Sequence, residues 1–446
     1  MKLSCPCTVG LLLIGSLGGC LSAAALDAPH TLHHPKAAEP HLTETHRSAT
    51  HRAAAHAGKT APRQTPAYAS TSHRSAKSGP AAQSAHLTAR GRARASARRV
   101  ALTSLHHHYY ERFTANSFAT SDIYAGDVTG GEDPVVRQAA IDAMDGMNGT
   151  AVVIDPKNGR ILAMINQKLA LSPGAEPCST IKITVAMAAL AEGLVTRDTM
   201  VQLQGFRMNM TQALAKSNNL YFEELGRELG FERVRHYANQ FGLGELAGYN
   251  IEGEKLGVYP DQELPASEGG VGRMCSFGQG VSLTPLQLGA YVAALANGGT
   301  LYYLQHPTTL EEAVALEPKV KRTLDIAKYV PEIEEGMAGA VEYGTARRLR
   351  AAFQALPVFG KTGTCSANGT RFGWFASFSD SPQGSLVTVF FLEGGRSTFG
   401  PRAAELTGAF YKNLWDRNYF ADKGQQQAAS LTAPAAPQPS VTQAAR

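Results

Sequence analysis

Apolar and polar positions first follow a helical pattern and then a hairpin pattern, between residues 133 and 166. Apolar side chains recur at helical spacing over 133–147 and lead to Gly149. Two β-rich runs follow at 150–155 and 160–166, joined by Pro-Lys-Asn-Gly at 156–159. An Asn-Gly turn between two such runs is typical of a β-hairpin. We therefore predict a helix followed by a hairpin.

The remaining pattern predicts helices between two sets of strands. Residues 179–192 form a helical stretch ended by Gly193, and 196–345 are mostly helix and loop. Within them, 284–296 are apolar almost all round, which indicates a buried helix. Strand patterns return at 358–364, 371–379 and 385–393, and a helical stretch closes the domain at 402–415. Strands at both ends predict an α+β fold: one antiparallel sheet flanked by helices, with a helical insertion.

Composition separates residues 21–110 from the rest. They hold twelve of the fourteen histidines and twelve Lys or Arg residues, against three acidic residues. A stretch with almost no aliphatic periodicity cannot bury enough apolar surface to offset the entropy lost on ordering. We predict a disordered tether at 21–110 and a disordered tail at 421–446. The pI of 8.8 reflects the tether, so nucleic acid is not an expected partner.

The N-terminal residues 1–20 have the pattern of a secretory signal. Lys2 precedes an apolar run over 9–17 that is too short to span a bilayer comfortably. Leu-Gly-Gly-Cys at 17–20 resembles a bacterial lipoprotein processing site, which would leave Cys20 lipidated. Cleavage at the later alanines, or no cleavage, are the alternatives. All three place the rest of the chain outside the cytoplasm. We expect a periplasmic protein that is anchored to the membrane by lipid on Cys20 or by an uncleaved signal.

Few histidines remain for chemistry in the folded part. Only His236 and His306 lie beyond residue 110. His236 falls in a polar helical stretch and His306 precedes a proline, so we predict that both are solvated surface residues. A Ser–His–Asp site or a multi-histidine zinc site is therefore not expected.

The first segment with candidate chemistry is Cys-Ser-Thr-Ile-Lys at 178–182. Ser179 and Lys182 are three residues apart and share one helical face. Free N–H groups near a helix N-terminus favour developing negative charge. A serine hydroxyl needs an adjacent base, and Lys182 can serve if burial or a nearby cation lowers its pKa. The structural alternative is a helix cap followed by a surface lysine.

The second segment is Ser217-Asn218-Asn219. A second hydroxyl at Ser217 could relay a proton between a lysine and a leaving group, and an Asn amide could hold a substrate amide. A turn or a helix cap is the structural alternative, because Ser and Asn favour both.

The third segment is Lys-Thr-Gly-Thr at 361–364, on a predicted strand. Gly363 lets a substrate backbone approach the strand edge closely. Lys361 offers a positive charge. The N–H of Thr364 could complete an oxyanion hole with the N–H of Ser179.

If the signal is removed, three cysteines are left in the folded part: Cys178, Cys275 and Cys365. One pair of them could form a disulfide, and the sequence does not select which. Cys178 could itself be proposed as a nucleophile, since a helix N-terminus lowers a thiol pKa. It lacks a recognisable His or Asn partner, so we favour a structural or disulfide role.

The three segments together are specific, because acyl-serine enzymes combine Ser-x-x-Lys, a Ser-containing triplet and Lys-Thr-Gly. With them, roughly residues 130–420 resemble the transpeptidase domain of penicillin-binding proteins. The family's opening hairpin resembles AVVIDPKNGRILAMIN, and its most characteristic internal segment resembles SFGQGVSLTPLQLGAYVAALANGGT. GMAGAVEYGTARRL, FGKTGT and RFGWFASF follow in the family's order. We place the catalytic domain at 111–420.

The resemblance implies a fold and a set of site residues. The fold is a five-stranded antiparallel sheet flanked by helices plus an all-helical subdomain, as in the β-lactamase-like enzymes. Ser179 would be the nucleophile and Lys182 the base. The other implied catalytic residues are Ser217, Asn219, Lys361 and Thr364, with substrate binding by Thr362 and Gly363. Two departures stand out: Cys178 occupies a position that is usually Gly, and the tether stands where larger members carry a folded domain.

The implied activity is peptidoglycan D,D-transpeptidation through an acyl-serine, or D,D-carboxypeptidation when water is the acceptor. It needs no metal and no organic cofactor. The implied partners are peptidoglycan stem peptides, β-lactam antibiotics and inner-membrane or envelope proteins of a bacterium. A serine β-lactamase, a β-lactam-binding sensor and an inactive scaffold remain alternatives; the Asn-containing triplet and the Thr-Pro-Leu-Gln segment favour the transpeptidase.

Overall fold

The computed structural model describes residues 112–382, 384–421 and 423. The predicted signal at 1–20, the tether at 21–110 and nearly all of the predicted tail lie outside the described residues. Among the helices that are described, none is both long enough and apolar enough to cross a membrane.

Both ends of the described chain contribute strands to one sheet. The strands in chain order are β1 (Gly149–Asp155), β2 (Arg160–Ile165), β3 (Val201–Gln202), β4 (Arg207–Met208), β5 (Thr300–Tyr302), β6 (Val320–Thr323), β7 (Val358–Ala367), β8 (Thr370–Ser379) and β9 (Val387–Gly394). Five of them form an antiparallel sheet in the order β2-β1-β9-β8-β7. The predicted five-stranded sheet is confirmed, and β7 lies at its edge.

Helices surround this sheet and fill the segment between β2 and β7. They are α1 (Pro134–Met144), α2 (Gln167–Ala170), α3 (Lys182–Ala191), α4 (Met210–Lys216), α5 (Asn219–Leu229), α6 (Phe231–Gln240), α7 (Gly270–Phe277), α8 (Pro285–Ala296), α9 (Leu310–Val314), α10 (Val330–Glu342), α11 (Arg348–Ala352) and α12 (Gly400–Asp416). Short 3-10 helices span Cys178–Ile181, Ala266–Glu268 and Ala327–Tyr329.

The alternation along β1 shows that both faces of the sheet are covered. Val152 and Ile154 belong to a hydrophobic cluster that includes α3 and α8. Ala151 and Val153 belong to a second cluster that includes α1 and α12. Because successive side chains of a strand point to opposite faces, the sheet is packed between two layers of helices.

The predicted hairpin and the predicted buried helix are both confirmed. In the hairpin, Asp155 pairs with Arg160 across the turn, and Gly159 has a φ of 76° that favours glycine. Helix α8 is buried along its whole length except its last residue. Its first turn is closed by a capping box, in which Thr284 and Gln287 exchange side-chain and backbone hydrogen bonds.

Two features differ from the sequence predictions. The ribbons β3-β4 and β5-β6 were not predicted, because strands of two to four residues are too short to show an alternating pattern. The predicted helix at 179–192 begins as the 3-10 helix Cys178–Ile181 and continues as α3.

The prediction of a solvated His306 is wrong, whereas His236 is exposed on α6 as predicted. The His306 side chain is 5% exposed and its Nε2 lies 3.0 Å from Glu132 Oε1. Glu132 is 174 residues away in sequence, so the loop around His306 gave no local indication of this partner.

Candidate active site

The three predicted motifs meet at one point, where the 3-10 helix Cys178–Ile181, the start of α5 and strand β7 come together. Lys182 Nζ lies 3.0 Å from Ser179 Oγ and 2.6 Å from Asn219 Oδ1. Ser217 Oγ lies between the two lysines, 3.2 Å from Lys182 Nζ and 2.8 Å from Lys361 Nζ. Five of the residues selected from the sequence are thus in direct contact.

A short 3-10 turn positions Ser179. Pro177 precedes the turn, and its carbonyl accepts hydrogen bonds from the N–H (3.1 Å) and the hydroxyl (2.7 Å) of Thr180. Lys182 is the first residue of α3, one turn after Ser179. The serine and the lysine therefore face the same side, as their spacing predicts.

The second motif combines the capping role and the site role that the sequence left as alternatives. Ser217 has a left-handed backbone (φ 55°) between α4 and α5. Asn218 caps α5, its side chain accepting a hydrogen bond from Tyr221 N at 3.0 Å. Asn219 is the first residue of α5. The cap therefore belongs to Asn218, while Ser217 and Asn219 face Lys182.

The third motif lies on the edge strand β7. Lys361 Nζ donates to Ser217 Oγ and, at 3.0 Å, to the carbonyl of Thr362. The Thr362 hydroxyl lies 2.6 Å from the Thr345 hydroxyl, and Thr364 Oγ1 accepts a 2.8 Å hydrogen bond from Gly400 N. Both threonine hydroxyls are thus engaged within the protein.

Gly363 allows β7 to lie directly against the segment before Ser179. A Cβ atom at Gly363 would come within 2.8 Å of the Pro177 carbonyl oxygen and 3.2 Å of Thr180 Cγ2. Any larger residue would push the strand away from the 3-10 helix. The glycine predicted to admit a substrate backbone therefore also sets the closeness of these two elements.

Burial controls the charge of both lysines. Lys182 and Lys361 are each 0% exposed. The pKa of Lys182 is lowered well below its ordinary value, first by desolvation and then by the positive charge of Lys361. The negative charge of Glu223 raises the pKa of Lys182 and so partly offsets these two effects. Desolvation lowers the pKa of Lys361 to about 7. Loss of hydration disfavours the charged form of an amine, and a like charge does the same.

The contacts of Lys182 suit a neutral amine. Two of its neighbours, the Ser217 carbonyl at 2.9 Å and Asn219 Oδ1, carry no hydrogen and can only accept. Two N–H bonds to these oxygens leave the nitrogen lone pair for the Ser179 hydroxyl. The arrangement can therefore remove a proton from Ser179.

The structure selects the cysteine pair that the sequence left open. It pairs Cys178 with Cys365, which confirms the structural or disulfide role favoured for Cys178, and leaves Cys275 free and buried. The position of Cys178 directly before the first motif, and of Cys365 directly after the third, was the available signal. Sequence reasoning missed the contact made by Thr345, which lies within the family-like segment GMAGAVEYGTARRL but outside the three motifs. Within the described residues, no group of three or more His, Cys, Asp or Glu could hold a metal ion.

Comparisons with known proteins agree with the motifs and the fold. The model of the penicillin binding protein transpeptidase domain matches residues 149–412. Stage V sporulation protein D of Bacillus subtilis is 29% identical over 59% of this chain and 48% of its own length. Peptidoglycan D,D-transpeptidase MrdA of Acinetobacter baumannii is 26% identical over 61% of this chain and 51% of its own. The chain thus spans about half the length of these curated relatives.

Solved structures show the same fold. Pseudomonas aeruginosa PBP2, in complex with WCK 5153, is similar with a TM-score of 0.55 and 23% identity, over 64% of this chain and 74% of that one. The matched range 149–412 covers more than half of the chain and contains the serine–lysine segment, the Ser-Asn-Asn triplet and the Lys-Thr-Gly strand. This chain belongs to the penicillin-binding protein transpeptidase family.

Proposed function

We propose that this protein is a peptidoglycan D,D-transpeptidase that joins stem peptides through an acyl-serine intermediate. The observation that carries the proposal is the 3.0 Å contact between Ser179 Oγ and a fully buried lysine amine. Named D,D-transpeptidases among the relatives support the same activity. They also favour it over the serine β-lactamase and sensor alternatives.

In the acylation step, Ser179 Oγ attacks the carbonyl carbon of the penultimate D-alanine while its proton passes to Lys182 Nζ. The bond to the terminal D-alanine then breaks, and the leaving amine must gain a proton. Ser217 Oγ contacts both lysines, at 3.2 and 2.8 Å, so it can pass a proton from Lys182 toward the leaving group. A positioned acid–base pair of this kind contributes about 10²–10⁴-fold in rate.

Substrate binding would fix the roles of the two lysines. With a pKa of about 7, Lys361 is neutral in part of the molecules near neutral pH. The terminal carboxylate of a stem peptide placed near it would favour the charged form. That charge in turn keeps Lys182 neutral, because Lys361 lowers the pKa of Lys182. The substrate thus promotes the protonation state that activates Ser179.

The oxyanion formed during acylation needs two hydrogen-bond donors. We assign them to the N–H groups of Ser179 and Thr364. The support is that β7 is the edge strand of the sheet and lies tightly against the segment before Ser179 at Gly363. Backbone donors held in place before the reaction are effective because they need no reorganisation as charge develops.

The acyl-enzyme is resolved by an acceptor. An amine of a neighbouring stem peptide would complete transpeptidation, and water would give D,D-carboxypeptidation. A β-lactam would acylate Ser179 and remain, because its retained leaving group blocks the acceptor.

We also propose an extracytoplasmic location with anchoring through lipid on Cys20 or an uncleaved signal, and envelope proteins as partners. The support is the sequence pattern of residues 1–20. Membrane fractionation of the wild type and Cys20→Ala would test the lipid: the wild type should be found in membranes and the variant should be released, whereas equal retention would favour the uncleaved signal.

Labelling with a fluorescent penicillin tests the proposed activity. We expect a covalent adduct in the wild type, none in Ser179→Ala, and slow formation in Lys182→Ala. Replacement of the exposed Ser121 by Ala is the matched control, and this variant should be labelled like the wild type.

A reaction with a donor and an acceptor stem peptide, followed by mass spectrometry of the products, then distinguishes a cross-linked product from a hydrolysed one. Absence of a Ser179-dependent adduct would refute the proposal, and rapid turnover of a chromogenic cephalosporin would favour the β-lactamase.

A further inference from the structure

The disulfide joins the two backbone positions next to the assigned oxyanion donors. Cys178 directly precedes Ser179, and Cys365 directly follows Thr364. The Cα atoms of the two cysteines lie 5.5 Å apart, although 187 residues separate them in the sequence. The covalent link therefore runs from the 3-10 helix to β7, on the same two elements that carry the donors.

The other described contacts between these two elements are noncovalent. Strand β7 is hydrogen-bonded to β8 on one side only. On the other side, Gly363 lies against the Pro177 carbonyl. Trp374 Nε1 adds a 3.0 Å hydrogen bond to the carbonyl of Glu176. Hydrogen bonds from Thr345 to Thr362 and from Gly400 N–H to Thr364 also hold β7, but neither of them reaches the 3-10 helix, to which the disulfide links the strand covalently.

Cys178 has a backbone conformation that does not favour a side chain. Its φ is 52°, in the left-handed region where glycine is favoured. The family resemblance also places glycine at this position. The chain thus carries a strained residue directly before the nucleophile, and the side chain of that residue forms the link to β7.

We propose that the Cys178–Cys365 disulfide is a positioning element of the acyl-transfer site, holding the N–H groups of Ser179 and Thr364 at the separation that one oxyanion requires. The inference rests on the proposed function. Oxyanion donors act at about 2.7–3.1 Å from the oxygen, so a small displacement of β7 removes one donor while Ser179, Lys182 and Ser217 stay in place.

The first test is the double variant Cys178→Gly/Cys365→Ala in the full chain. Glycine suits the backbone at 178, and alanine is tolerated in a strand. We expect the first-order rate constant for acylation by a fluorescent penicillin to fall about 10–100-fold, since loss of one oxyanion donor costs about 10²–10³. The dissociation constant of the non-covalent complex and the pH dependence of acylation should stay close to those of the wild type, because neither lysine is substituted and Lys361 keeps its hydrogen bond to Ser217 Oγ. Cys275→Ala, which removes the buried free thiol, is the matched control and should acylate normally.

The second test separates positioning from general stabilisation. The wild-type disulfide is reduced with a phosphine and the two thiols are closed with diiodomethane, giving S–CH2–S and two molecules of HI. The elements remain linked but the link is one atom longer. We expect a melting temperature near that of the oxidised protein and a slower acylation step. The double variant treated in the same way controls for alkylation elsewhere.

The outcomes are distinct. Acylation at the wild-type rate in the methylene-bridged protein would overturn the positioning role, and this measurement decides even if the double variant does not fold. A slower acylation with unchanged non-covalent binding supports the role. Absence of any adduct in the oxidised wild type would instead refute the proposed function.

Discussion

Burial of two lysine amines in the site carries an electrostatic cost. Lys182 and Lys361 are both fully buried, and burial disfavours their charged forms. The neighbouring positive charge of Lys361 lowers the pKa of Lys182 further. The same cost that destabilises the fold supplies a neutral amine beside Ser179.

The pH dependence of acylation should report this coupling. In the proposed mechanism the neutral form of Lys182 is the base, so acylation should rise with pH and level off well below the ordinary lysine pKa of 10.5. Lys361→Met removes the neighbouring positive charge, so the pKa of Lys182 should rise. The pH range over which the acylation rate increases should therefore move to higher pH. Stopped-flow acylation rates from pH 5 to 10 would measure the shift. Lys168→Met removes an exposed lysine and should leave the pH range over which acylation increases unchanged. If that range is also unchanged in Lys361→Met, the coupling between the two lysines is contradicted.

Lys361→Met should also stabilise the protein at neutral pH. The folded pKa of Lys361 is about 7, lowered from 10.5, so the unfolded state binds more protons between these two values. The contribution of Lys361 to the free energy of unfolding is therefore most unfavourable below about pH 7, and it becomes less unfavourable as the pH approaches 10.5. We expect the free energy of unfolding of the variant to exceed that of the wild type by about 1–3 kcal/mol at pH 7, after allowing for the lost hydrogen bonds.

Urea unfolding at several pH values would check this expectation. The difference between variant and wild type should shrink from pH 7 toward pH 10.5. A difference that is independent of pH would mean that packing, and not the titration of Lys361, determines it.

At the scale of elements, the sequence predicted most of what has a regular pattern. The hairpin β1-β2, the buried helix α8 and the strands β7, β8 and β9 each have a period or a turn signal of their own. Their packing into one sheet needed the family resemblance in addition, because β1 and β9 are neighbours in the sheet but far apart in sequence.

What the sequence did not predict depends on contacts between distant segments. The His306–Glu132 pair and the Cys178–Cys365 pair join residues more than a hundred positions apart. No local pattern encodes such a partner. The candidate site residues could be selected only because three short motifs occur in a known order, whereas Thr345 lies outside those three motifs and was missed.

Thr345 should act as a link between the second and third motifs. Its N–H donates to the carbonyl of Ala215 at 3.1 Å, two residues before Ser217. Its hydroxyl lies 2.6 Å from that of Thr362. Thr345→Val keeps the shape but removes the hydroxyl, so we expect a loss of about 1–2 kcal/mol in stability and acylation slower by about tenfold.

Thr345→Ser is the matched control, since it retains the hydroxyl and loses only a methyl group. Its acylation rate should stay near that of the wild type. If the Val and Ser variants acylate equally, the bond to Thr362 does not position the site.

At the scale of the whole molecule, the site depends on three groups of elements that meet: the 3-10 helix with α3, the α4–α5 connection, and the edge of the sheet. Each contributes one motif, and each packs in the hydrophobic cluster that lies on the α8 side of the sheet. Loss of the common core would therefore separate all three motifs at once.

A variant lacking residues 1–111 should fold and react with penicillin like the full chain. Within the described residues, the members of the two hydrophobic clusters and the site contacts given above lie from 112 onward, and the sequence predicts a disordered tether before them, so the deletion keeps all of these contacts. We expect an unchanged melting temperature and an unchanged acylation rate in vitro.

A longer deletion, through residue 144, removes α1 and with it the buried Val136, Ala140 and Met144. Each large apolar side chain lost from a core costs about 2–5 kcal/mol, against a total stability of about 5–15 kcal/mol, so this shorter chain should not fold. A shorter chain that still formed the adduct would show that the α1 layer is dispensable, and an inactive 112–446 chain would show that the N-terminal residues contribute to the catalytic fold.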